Sequence, residues 1–71
     1  MNKAPENPPE EPLLQFFAFA HLPPKLHDVS EPFFRLAQTL VLRLPRNPER
    51  TVALRKLLES KDCAVRAAIY K

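Results

Sequence analysis

The sequence contains no glycine. A glycine-rich phosphate loop and a Rossmann fingerprint are therefore both excluded, since each needs backbone that only glycine lets close to a phosphate. Cysteine is nearly absent as well. Cys63 stands alone, so no intrachain disulfide forms and a cysteine-based zinc site is ruled out. A lone thiol suits a reducing compartment, where it behaves as a small hydrophobe. Long apolar runs are missing: the window from Leu13 to Leu22 falls far below the ~18–20 residues of a bilayer span. It also follows an acidic, proline-rich lead, unlike the basic start of a signal peptide. These absences predict a soluble, non-exported, cytoplasmic chain with no membrane partner.

Charge of neither sign dominates. Lys+Arg 11 against Asp+Glu 8 leaves +3, which is compatible with an anionic ligand but too weak to imply nucleic acid. Acidic residues interleaved with Arg35, Arg43, Arg46 and Arg55 also break any basic stripe, so nucleic acid is not an expected partner. With 71 residues the chain makes one domain at most, and a chain this short buries only about 60% of its unfolded surface. Lacking covalent or metal staples, it is expected to find the missing burial by associating with itself.

What the sequence does have is helical. Asn47-Pro48-Glu49 is a strong helix start: an Asn cap, Pro where its missing N–H costs nothing, and an acid at the positive pole. Nothing after it breaks the run, which predicts a helix over 48–70, about 36 Å long. Ala53, Leu54, Leu57, Leu58, Ala64, Val65, Ala68 and Ile69 form its buried stripe. Arg55–Glu59 and Asp62–Arg66 read as i,i+4 pairs outside it. Arg50 and Lys61 point into the middle of that stripe, where a charge must snorkel, pair, or meet an anion.

Ser30-Glu31-Pro32 carries the same start signals and predicts a first helix over 31–44, ending before Pro45. Its apolar arc, with Phe33, Phe34, Leu36, Ala37, Leu40, Val41 and Leu44, spans about 160°, wider than one antiparallel partner covers. The stiff turn Leu44-Pro45-Arg46-Asn47-Pro48 makes the two helices antiparallel neighbours. Residues 1–12, rich in proline and glutamate, read as a disordered acidic arm. Residues 13–29 are open between a short helical turn and an extended arm; either way Phe16, Phe17 and Phe19 must lie against the long helices, of their own chain or of a neighbour. His21 to Leu26, with Pro23-Pro24, reads as a polyproline-like bend. The expected fold is all-α: a two-helix antiparallel hairpin, residues 13–71, with an aromatic, Pro-rich N-terminal arm, assembled as a homo-oligomer.

Catalysis finds little footing. His21, His27 and Cys63 match no metal-ligand or nucleophile spacing, so no enzyme, metal or cofactor is expected. Anion binding is better supported. Arg46 and Arg50 flank the start of the second long helix, where the amides of Glu49 to Thr51 offer a positive pole and Thr51 a hydroxyl. Phenylalanine faces of the arm stack bases. The alternative is an oligomeric structural or adaptor module whose Phe arm docks a protein.

The segment from Phe34-x-x-Ala37 through Leu44-Pro45-Arg46-Asn47-Pro48-Glu49-Arg50-Thr51-Val52-Ala53-Leu54 to Ala64-Val65-Arg66-Ala67 resembles the helical hairpin of the phage anti-CBASS and anti-Thoeris cyclic-nucleotide sponges. Phe19-Ala20-His21-Leu22-Pro23 matches their aromatic-x-His-x-Pro pattern. The resemblance implies interlocked hairpins, often a hexamer, in the cytoplasm of a bacterial host. It implies that they sequester cyclic di- or trinucleotides, or cyclic ADP-ribose, without cleaving them. The family's base-stacking aromatic falls at Phe19, and its phosphate-gripping basic residue at Lys25 or Arg35. Arg50 and Thr51 match the hairpin pattern. The implied binding set is Phe19, His21, Lys25, Arg35, Arg46, Arg50 and Thr51.

Overall fold

The computed structural model describes residues 11–71. The disordered arm expected over 1–12 lies outside the described residues except for its last two, Glu11 and Pro12, and these are ordered. Among the described residues the structure is all-helical, with two long helices packed on each other and no strand.

Pro12–Phe17 forms a 3-10 segment, so of the two readings for the arm the helical turn is the one present. The Glu11 carboxylate caps it by accepting from the Leu13 amide at 3.3 Å, and Pro12 sits at its start. Six residues exceed the usual run of this tight helix. Burial of Leu13 and Phe17 holds it down.

α1 runs Pro24–Arg43 and α2 runs Pro48–Ile69. For α2 the Asn47 side chain accepts from the Arg50 amide at 2.8 Å, the cap that its sequence announces. The start of α1 is a correction. Pro23 and Pro24, expected to form a bend, open the helix instead, seven residues before Glu31. Ser30 is not a cap but a fully buried interior residue, its hydroxyl without a partner among the described residues. Pro32 is carried inside the helix. Its ring removes the amide that would bond the Asp28 carbonyl. Both residues lie on the exposed side, where water can take that carbonyl.

Leu13, Phe17, Ala37, Leu54 and Leu58 make the core, with Leu14, Phe33, Phe34, Leu40, Val41 and Leu57 packed round it. The arm therefore lies across the hairpin and contributes to the core with both helices. Much apolar surface stays outside, including Phe16, Leu36, Leu42, Val52 and Ile69. Among the described residues no helix is long and apolar enough to cross a membrane.

Because Pro32 forfeits a helix bond on an exposed face, Pro32→Ala should raise the unfolding free energy by about 1–3 kcal/mol. A urea melt followed by circular dichroism measures this. An unchanged midpoint would mean that the proline is absorbed without cost.

Candidate functional site

The two cations that sequence periodicity sets into the apolar stripe of α2 both hold the arm. Arg50 is buried, and its Nη2 donates to Glu11 Oε1 at 3.0 Å. Its Nη1 donates to the carbonyls of Val41 at 3.3 Å and Leu44 at 3.2 Å. Those carbonyls belong to the end of α1, where no intrahelical amide remains to meet them. One guanidinium thus satisfies the end of α1 from the first turn of α2 and neutralises the carboxylate that caps the arm. Among the described residues only its Nε lacks a partner.

Lys61 does the same at the other end of the arm. Its Nζ donates to the Phe16 carbonyl at 2.6 Å, near the end of the 3-10 segment. An ammonium has three protons, so further donors remain there. Beside this contact, Gln15, Phe16, Ala18, His21 and Leu22 from the arm face Lys61, Asp62, Val65 and Arg66 from α2 across a cleft of about 390 Å³. Small-ligand clefts begin at about this size. Phe16 is 52% exposed, so its ring remains available for stacking. Arg66 reaches only the Cys63 sulfur, at 3.4 Å, among the described residues, and Cys63 is exposed rather than packed.

Of the expected binding set, only His21 lines this cleft. Phe19 is half-buried. Its ring meets His27 at 4.7 Å in a T-shaped contact and Phe34 at 5.3 Å, so its own chain occupies it. Lys25 is exposed in the first turn of α1. Arg35 donates to Glu31 through Nε at 2.9 Å and pairs with it again through Nη2. Arg46 is exposed in the loop, and Thr51 is exposed with its hydroxyl donating to the Asn47 carbonyl at 3.4 Å. These residues do not converge. The positive pole of α2 is also largely spent, since Asn47 takes the amides of Arg50 and Thr51.

The expected pairs Arg55–Glu59 and Asp62–Arg66 give way to Lys56–Glu59 at 3.8 Å and to the Arg66–Cys63 contact. For Arg55–Glu59 the acid follows the base, the weaker order along a helix. Among the described residues no group of His, Cys, Asp and Glu is placed to hold a metal ion. Phe16, Lys61 and Arg66 are the cleft residues that sequence reasoning did not assemble. Lys61 gave a signal, as a charge on an apolar face. Arg66 gave none, because a solvent-facing arginine is ordinary.

Arg50→Met should cost about 3–5 kcal/mol, because it leaves the Glu11 carboxylate buried without its cation. Combining it with Glu11→Leu should restore part of that loss, since neither charge then needs a partner. Urea melts of the two single variants and the double variant measure this. Equal stability of Arg50→Met and the parent would show that the clasp contributes nothing.

No protein-family model, curated protein or solved structure matches this chain.

Proposed function

We propose that the chain is a non-enzymatic binding protein that sequesters cyclic oligonucleotides, holding the ligand in the cleft between its arm and the C-terminal half of α2. The observation that carries this reading is the meeting of an exposed aromatic ring, Phe16, with the nitrogen groups of Lys61, Arg66 and His21 in one cleft. Arginine grips two phosphate oxygens at once, while lysine serves as a point charge. A base stacked on a ring contributes about 1–3 kcal/mol. Gln15 and Asp62, in the same wall, offer an amide and a carboxylate to the edge of a base or a sugar hydroxyl.

The hairpin's resemblance to phage sponges points to the same ligand class and to the cytoplasm of a bacterial host, though through other residues. Arg50 is committed to Glu11 and to the end of α1, so the phosphate grip passes to Lys61 and Arg66. The adaptor reading draws less support, because Phe17 is buried and Phe19 is packed within its own chain, which leaves Phe16 alone of the three exposed.

Titration calorimetry against a panel of cyclic di- and trinucleotides and cyclic ADP-ribose should find at least one that binds and returns unaltered from the complex. Arg66→Ala should weaken it by roughly tenfold or more, the loss expected for one hydrogen bond to a charged group, with helicity unchanged. Absence of binding across the panel, or equal binding by Arg66→Ala, would count against this function.

A further inference from the structure

The arm covers one side of the two-helix layer. Phe19 rests on His27 and Phe34 of α1, and the cleft takes its other wall from Lys61, Asp62, Val65 and Arg66 of α2. At about 100° per residue His27 and Phe34 of α1 and Asp62, Val65 and Arg66 of α2 turn to the same side of the hairpin, with Lys61 at its margin beside Leu57. On the opposite side, among the described residues, no segment lies. There α1 presents Val29, Phe33, Leu36 and Leu40, and α2 presents Ala53, Leu57, Ser60 and Ala64. Both stripes follow the same spacing: i, i+4, i+7, i+11. Neither contains a charge. Leu36 is 48% exposed, and its apolar neighbours on this face are half-buried.

We propose that this face is a twofold interface with a second copy of the chain, forming an antiparallel four-helix bundle. Three features of the face select that occupant. The first is fit. A twofold axis parallel to the helices lays α1 of one copy on α2 of the other, with both loops at the same end. Counting away from the loop, Leu40 then meets the second copy's Ala53, Leu36 its Leu57, Phe33 its Ser60, and Val29 its Ala64. Large residues oppose small ones in three of these layers, and the two leucines fill the centre, the pattern by which facing helices interdigitate.

The second feature is charge. Arg43, in the last turn of α1, and Glu49, in the first turn of α2, are exposed and border the two stripes at the loop end. In this stacking each Arg43 stands beside the other copy's Glu49, and symmetry makes the pair twice. The alternative axis, across the helices, lays α1 on α1 and brings Arg43 beside the other copy's Lys25, so like charges oppose it. The third feature is area. From the Arg43 and Glu49 rim to Val29 and Ala64 the face runs about 21 Å and two helices span about 20 Å across, so the two copies bury about 800 Å² in total, the size of a weak, reversible contact. The interface lies opposite the proposed ligand cleft and does not depend on it.

Sedimentation equilibrium at hundreds of micromolar, where a contact of this size is populated, tests the proposal. It should give twice the chain mass of 8.2 kDa. Leu36→Asp should give a monomer that keeps its helicity. Arg43→Glu should weaken the dimer by roughly fivefold, the scale of a rim ion pair, and adding Glu49→Arg should recover it. A monomeric parent, or a dimer that Leu36→Asp leaves intact, overturns the interface. Should Leu36→Asp fail to fold, the charge swap decides, and failure of Glu49→Arg to rescue Arg43→Glu overturns the stacking.

Discussion

The structure depends on a single buried guanidinium. Arg50 meets the arm through Glu11, the end of α1 through two carbonyls, and the start of α2 through its own backbone. Removing a charge from water is expensive, and attraction repays it only when the geometry is good and the remaining protons find acceptors. Here the Glu11 carboxylate and the otherwise unmet carbonyls of α1 supply those acceptors. A hydrophobic side chain at the same position would pack, but it would leave the end of α1 unsatisfied and the Glu11 carboxylate without its cation. The clasp thus fixes which segments meet, which a core of a few leucines, phenylalanine and alanine does not do alone.

With the arm fixed, the two sides of the helical layer acquire different characters. The arm side gains walls that neither helix has by itself, because Phe16 and His21 stand against Lys61 and Arg66 only when the 3-10 segment is seated. The other side keeps an uncharged, mostly apolar stripe with Leu36 exposed on it. Seating the arm therefore forms the cleft and leaves the reverse uncovered. Both properties follow from a hairpin with one short segment to cover two broad faces.

Local signals were legible in the sequence, and distant ones were not. The start of α2 was readable from Asn47-Pro48-Glu49 because a cap, a proline and an acid act within one turn. The start of α1 was misread because Ser30-Glu31-Pro32 carries those same marks while sitting inside a helix. Packing of Ser30 and His27 against the rest of the fold outweighs the local preference there. Arg50 and Lys61 stood out as charges on an apolar face, yet nothing periodic named their partners. Glu11 lies 39 positions from Arg50, within a stretch whose composition reads as disorder. For the same reason only His21 of the expected binding set lines the cleft. A site built by one segment crossing another leaves no spacing pattern in either.

Among the described residues each of the three helical segments begins with proline: Pro12, Pro24 and Pro48. Together with the absence of glycine, this narrows what the unfolded chain can do, since proline holds φ near its helical value wherever the chain wanders. The ordering entropy surrendered on folding is correspondingly smaller. A core this slight suffices partly because the denatured chain has so little freedom left to give up.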